Sequence, residues 1–168
     1  MKIYNQSGRS MIEMLGVLAI VGVLSAGGIA GYSMAMQSYR TNQFIEKMQL
    51  MMQQTRALYK GKYDGVNGTQ PLIDSGKITD NKNPFGGTLD LINSGSNIFK
   101  IETSDTNVPA EACVDIVTAY WGESGMFSGI TIDGVVYATY ENGSYPIKLS
   151  DAINYCKGDN KKIRFFAR

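Results

Sequence analysis

Residues 8–24 read Gly8-Arg9-Ser10-Met11-Ile12-Glu13-Met14-Leu15-Gly16-Val17-Leu18-Ala19-Ile20-Val21-Gly22-Val23-Leu24. A short polar leader gives way to one carboxylate and then to a long apolar run. No residue from Met14 to Tyr39 is charged. A helix of about 20 such residues crosses a bilayer core. Glu13 stands just inside the front of the run, where a buried carboxylate is costly and calls for a partner. Two roles for it are open at this point. Ser10 and Glu13 have the spacing of a capping box, which is one role, and a partner elsewhere for a buried carboxylate is the other.

The apolar pattern continues past the span of a bilayer. Ile29-Ala30-Gly31-Tyr32-Ser33-Met34-Ala35-Met36 stays in helical register, so Ser25-Ala26-Gly27 is read as part of a retained anchor and not as a cleavage site. After Tyr39 the sequence turns amphipathic. Phe44, Met48, Met51, Thr55 and Leu58 recur at helical spacing, and Ile45, Met52 and Tyr59 widen the stripe. Asn42, Glu46, Gln49, Gln53 and Arg56 are expected on the opposite face. One helix from about Ser10 to about Lys60, roughly 75 Å long, is predicted, with Gly61 ending it. The glycines at 16, 22, 27, 28 and 31 suit close helix approach in an apolar setting, and the ordinary glycine content of transmembrane helices, higher than in soluble ones, is the alternative.

Gly61 to Pro84 reads as an exposed connecting loop with a short helical turn around Leu72-Ile73 and Ser75-Gly76-Lys77-Ile78. Asn83-Pro84-Phe85-Gly86-Gly87 is a tight turn. Two β-prone runs follow, Thr88 to Ile92 and Asn97 to Thr103, and form an expected hairpin. Pro109 opens a helix to Trp121, closed by Gly122, with Ala112, Cys113, Ile116, Val117 and Tyr120 inward. Asp133-Gly134 joins Ser128–Ile132 to Val135–Tyr140 in a second hairpin, and Asn142-Gly143 marks the next turn. Ser150 is expected to cap a short helix to Cys156 that buries Ala152, Ile153 and Cys156. Gly158-Asp159-Asn160 turns the chain, and Lys161 to Phe166 forms a final strand with Ile163 and Phe165 on one side. The fold class is α+β: a long N-terminal helix, first transmembrane and then amphipathic, on a small antiparallel-rich sheet. The expected divisions are a leader at 1–8, the helix at 9–60 and a head domain at 61–168.

Composition narrows the function classes. The 168 residues hold 16 Lys and Arg against 15 Asp and Glu, and no His. A balanced charge argues against a nucleic-acid binder that works by neutralising phosphates. Without His, Ser-His-Asp and Cys-His catalysis are excluded, so no enzymatic role, cofactor or metal centre is expected. Asp80, Asn81, Asn83 and Asp90 imitate part of a calcium loop without EF-hand spacing. Asn67-Gly68-Thr69 and Asn142-Gly143-Ser144 match glycosylation sequons but are explained by their turn character. Lys157, Lys161, Lys162, Arg164 and Arg168 read as a solvated strand face. The two cysteines, Cys113 and Cys156, lie beyond the apolar run. With the N-terminus in the cytoplasm both reach an oxidising compartment, and a disulfide is the default reading. The loop of about 44 residues corresponds to about 4 kcal/mol on the chain-entropy account.

Gly8 before Arg9-Ser10-Met11-Ile12-Glu13 and an unbroken apolar helix resembles the leader region of type IV pilins and pseudopilins. Asn83-Pro84-Phe85-Gly86-Gly87, Val108-Pro109-Ala110-Glu111-Ala112-Cys113 and a late Cys156 before the last strand are similar to type IVb-like pilins. The resemblance implies cleavage between Gly8 and Arg9 by a prepilin peptidase and methylation of the new amino group of Arg9. Arg9 stands where the family usually has an apolar residue. Glu13 is the fifth residue after the cut, where the family's glutamate pairs with the terminal amine of a neighbouring subunit. The implied partners are identical subunits in a helical filament, the membrane and the inner-membrane pilus assembly machinery. The precursor would lie in the inner membrane with its head in the periplasm, and the pilus would be extracellular. A structural pilin is the first reading; a secretion pseudopilin and a minor, adhesive or DNA-uptake pilin are the alternatives. Removal of residues 1–8 leaves 15 Lys and Arg against 15 Asp and Glu, a neutrality compatible with close packing.

Overall fold

The apolar stripe of the predicted helix has its counterpart in a computed structural model that describes residues 11–95, 97–105, 107–122, 126–139, 145–158 and 160–168, with the backbone alone at 136–138. Helix α1 runs Met11–Tyr59. The chain divides into two compact units between Gln37 and Ser38. In the second unit α1 buries Thr41, Phe44, Met48, Met51, Met52 and Thr55, the stripe expected from spacing with Thr41 added. Leu58 and Tyr59 pack at its edge and are only half-buried. Gln49 and Arg56 depart from the expected solvent face. Gln49 Nε2 donates to the Tyr120 carbonyl at 3.3 Å, and the Arg56 guanidinium donates to the carbonyls of Met126 and Arg168. The helix ends in two left-handed residues, Lys60 (φ 50°) and Gly61 (φ 83°), so the reversal begins one residue before the glycine.

Five antiparallel strands form one sheet in the order β1-β2-β5-β3-β4. They are β1 Leu89–Asn93, β2 Phe99–Thr103, β3 Phe127–Ile132, β4 Val135–Thr139 and β5 Ile163–Ala167. The last strand is thus the central one, hydrogen-bonded to both β2 and β3. Alternation sends Ile163, Phe165 and Ala167 into the core while Arg164 and Phe166 face outward. Phe165 is the junction of the core, with ring centroids 6.3 Å from Phe44 of α1, 4.5 Å from Trp121 and 6.5 Å from Phe127. The β3–β4 turn has positive φ at both Asp133 (51°) and Gly134 (86°), the backbone that an Asp-Gly hairpin favours. The expected turn at Asn142-Gly143, the strand end at Tyr140 and the turn residue Asp159 lie outside the described residues.

The segment after α1 is not a free loop. It contains α2 Gln70–Asp74 and buries Tyr63, Val66, Leu72 and Ile78. It also lines the edge of the sheet: Gly68 N donates to Leu91 O at 3.0 Å and Leu89 N to Asn81 O at 2.8 Å. An uncovered edge strand is a template for unwanted pairing, and this segment occupies that of β1. Its polar composition concealed four anchoring apolar side chains.

Two short helices differ from expectation. Helix α3 spans Ala110–Thr118 and stops before Trp121, because Ala119 adopts extended backbone (ψ 154°). Trp121 then folds back, its Nε1 donating to Ile116 O at 2.9 Å. Tyr120, expected inward, is 66% exposed. Helix α4 spans Leu149–Tyr155 with Lys148 at its N-cap. Ser150 therefore lies inside the helix instead of capping it, and Ile153 faces outward while Ala152 and Cys156 are buried. Truncation of the core junction, Phe165→Ala, is expected to destabilise the second unit by about 3–5 kcal/mol, measured as a lower urea midpoint of the detergent-solubilised chain.

Candidate assembly interface

The first half of α1 is where sequence and burial diverge most. Residues 11–35 are exposed throughout, Ile12 at 80% and Val23 at 75%. The segment is nevertheless apolar enough to span a membrane, with mean hydropathy 2.1 over its most apolar window. So large a contiguous apolar surface marks a place where lipid or protein is bound. The glycines sharpen this. A side-chain carbon built at Gly16, Gly22, Gly27, Gly28 or Gly31 meets nothing within 4 Å. Nothing in the subunit's own packing requires them, and each costs up to about 1 kcal/mol of helix propensity relative to Ala. Gly27 and Gly31 stand four apart, the spacing that lets two helices approach closely. Glu13 lies in the first turn of α1, where a negative charge is favoured by the helix dipole. Gly8, Arg9 and the expected cap Ser10 lie outside the described residues.

The second unit carries the remaining predicted residues. Cys113 in α3 and Cys156 at the end of α4 form a disulfide with Cα atoms 5.8 Å apart. Both are fully or almost fully buried, so the bond pins the two helices together beneath the surface. The fragments that imitated a calcium loop are otherwise engaged. Asp80 pairs with Lys47 and accepts from Lys82 N at 2.8 Å. Asn81 donates to Leu89 O at 3.4 Å, Asn83 Oδ1 accepts from Phe85 N at 3.0 Å, and Asp90 accepts from Thr88 at 3.0 Å. No metal-binding group of three or more His, Cys, Asp or Glu occurs among the described residues. The Lys47 hydrogen bond, helped by that from Lys82, holds the Asp80 carboxyl below its usual range.

The basic residues near the C-terminus do not form a merely solvated face. Glu102 on β2 gathers three cations: Arg164 Nε at 2.6 Å, Lys162 Nζ at 3.4 Å and Lys100 Nζ at 3.5 Å. Lys161 pairs instead with Asp133 at 3.0 Å. Burial pushes the Glu102 carboxyl up, but the Arg164 hydrogen bond and the three positive charges outweigh it, leaving it below the ordinary value. Sequence reading missed Glu102 and Arg56. The cue for Glu102 was alternation, since Lys100 and Glu102, like Lys162 and Arg164, occupy same-face positions of two strands. Only the pairing of β2 with β5 joins them.

No protein-family model matches the chain. Two curated proteins, each described as the major structural subunit of bundle-forming pilus, are similar to it. That of Escherichia coli O127:H6 (strain E2348/69 / EPEC) is 30% identical over 140 residues, covering 77% of this chain and 72% of that protein. That of Escherichia coli O111:H- is 30% identical over 138 residues, covering 76% and 72%. Among solved structures, TcpA, a type IV pilin from the Vibrio cholerae El Tor biotype, aligns with a TM-score of 0.46 at 20% identity, over 79% of this chain and 98% of its own. The chain belongs to the type IV pilin family, with the bundle-forming pilus subunits among its relatives.

Because the folded-state carboxyl of Glu102 titrates below its unfolded value, its network stabilises the fold above the ordinary carboxylate range. That contribution falls away as the pH drops through the range. Acid titration of thermal stability is therefore expected to be shallower below about pH 4.5 in Glu102→Gln than in the parent. Identical slopes would remove the network from the account.

Proposed function

We propose that this chain is a structural subunit of a type IV pilus and polymerises through the first half of α1. The observation that carries the reading is the exposed apolar surface of residues 11–35, together with glycines that the subunit's own packing does not use. Before assembly a bilayer covers that surface; in the filament, the same segments of neighbouring subunits cover it. The exchange is apolar for apolar, so helix packing and polar pairing, not the hydrophobic effect alone, determine the register.

On this reading residues 1–8 are a leader. A prepilin peptidase cuts between Gly8 and Arg9 on the cytoplasmic side, and the new amino group of Arg9 is methylated. Glu13 then meets the terminal amine of a neighbouring subunit. A carboxylate moved into an apolar filament core is strongly destabilising without such a cation, so the pair selects the stagger between subunits. The precursor spans the inner membrane once with its cysteine-bearing unit in the periplasm, where the disulfide forms. The inner-membrane pilus machinery extracts it into an extracellular fibre. The role is structural, and no cofactor takes part.

Two outcomes test this. Intact-mass analysis of the mature protein is expected to find a chain starting at Arg9, methylated; a mature chain that retains Met1 refutes the leader. Glu13→Ala is expected to reach the membrane at the parental level but to lower surface filament yield at least tenfold. Electron microscopy and shear-fraction immunoblots measure that yield, and undiminished filaments would rule out the pairing.

A further inference from the structure

The second unit presents two surfaces of opposite charge on opposite sides. On the outward face of the sheet, Lys100, Lys162 and Arg164 gather on the carboxylate of Glu102, and Asp90 stands across from Glu102 on β1, so three cations meet two carboxylates and the cluster keeps a surplus of one positive charge. The inward face of the same strands meets α1 through the Phe44–Phe165 contact. On the helical side, a hollow of about 350 Å³ opens between α1 and α3. Asp115, Thr118, Ser38 and Asn42 line it, and no cation does. The Asp115 carboxylate has no hydrogen bond or ion pair among the described residues, and α3 carries Glu111 one turn earlier and no basic residue.

Resting on the pilus reading above, we infer that the outward sheet face of one subunit docks on the α1–α3 hollow of the next, a lysine of the Glu102 cluster entering beside Asp115. The occupant is a second copy of this chain because both halves of the complement are present on every copy. They lie on opposite faces, so one copy cannot satisfy its own pair, and the contact between copies is head-to-tail. A head-to-tail contact of this kind gives a ring where its rotation closes and a fibre where it does not, and the pilus reading selects the fibre. An acceptor-lined hollow with one carboxylate suits an ammonium group, which brings several donors on a long flexible stem. Complementary charge of this sort orients and selects partners more than it adds raw affinity, which fits an interface where the apolar helix supplies the bulk of the contact.

The test uses assembled filaments of the full chain treated with a carbodiimide, which joins an amine directly to a carboxylate in contact with it. Peptide mapping is expected to find an intersubunit bond from Lys100 or Lys162 to Asp115 or Glu111. In parallel, filament yield is expected to follow charge at position 115. Asp115→Glu stays within about twofold of the parent, Asp115→Asn falls several-fold and Asp115→Lys falls at least tenfold, with formation of the 113–156 disulfide and protease resistance unchanged in each. A bond from Asp115 to a lysine off the sheet face, or parental yield from Asp115→Lys, overturns the docking surface and leaves the pilus reading standing. Failure of the parental chain to form filaments overturns the pilus reading itself.

Discussion

The contact on which the globular fold depends is that of Phe165 with Phe44 and Trp121. It joins three parts distant in sequence: the central strand β5, the amphipathic half of α1 and the residues after α3. A strand that arrives last and pairs on both sides makes the sheet non-local, and loop-closure entropy opposes such pairings until they form together. The disulfide shortens that search. By tying α3 to the helix that precedes β5, it limits the unfolded ensemble and brings the final strand close to the gap between β2 and β3.

Around this core the polar contacts serve placement more than stability. Arg56 reaches from α1 to the backbone carbonyls of Met126 and Arg168, so the helix is tied to the ends of two adjacent strands, β3 and β5. Burial lowers the Arg56 pKa, and its neighbour Tyr63 opposes that shift; the guanidinium stays charged because arginine titrates far above neutrality. The Lys47–Asp80 pair fixes the connecting segment to α1 in a similar way. Exposed pairs of this kind contribute little energy singly, but each removes one freedom from a segment that its composition would leave mobile.

How much of this was legible in the sequence depends on the range of the interaction. Helix α1, both hairpins, the Asn83–Gly87 turn and the inward side of β5 follow from periodicity and turn chemistry, which act within a few residues. The errors fall where a distant partner decides. Tyr120 has the spacing of a core residue, yet the helix stops two residues before it so that Trp121 can reach Ile116. Gln49 and Arg56 sit on a polar face by pattern and become half-buried because carbonyls of other elements need donors. The Gly61–Pro84 segment reads as a loop from its composition, whereas Tyr63 and Leu72 are core residues. Lys162 and Arg164 looked solvated because their carboxylate lies 60 and 62 residues earlier in the chain. For the proposed interface, the apolar run and Glu13 are visible in the sequence alone, while the hollow at Asp115 is visible only in the packing of α3 on α1.

Helix α1 must satisfy two different demands, and its sequence divides accordingly. From Thr41 to Thr55 the apolar positions form one stripe, since only one side faces the core. From Met14 to Met36 they go all round, and no side of this segment is covered within the subunit up to residue 35. The first pattern is optimised for a single folded partner and tolerates no glycine. The second holds five glycines and accepts their cost in helix propensity. Transmembrane helices in general carry more glycine than soluble ones, so glycine content by itself does not name the covering surface. A helix that meets copies of itself gains closeness at each glycine, and dispersion contacts and interhelical polar pairs strengthen steeply as backbones approach. On the proposed pilus reading, length and hydropathy serve the bilayer, and the spacing of Gly27 and Gly31 serves close approach of neighbouring helices.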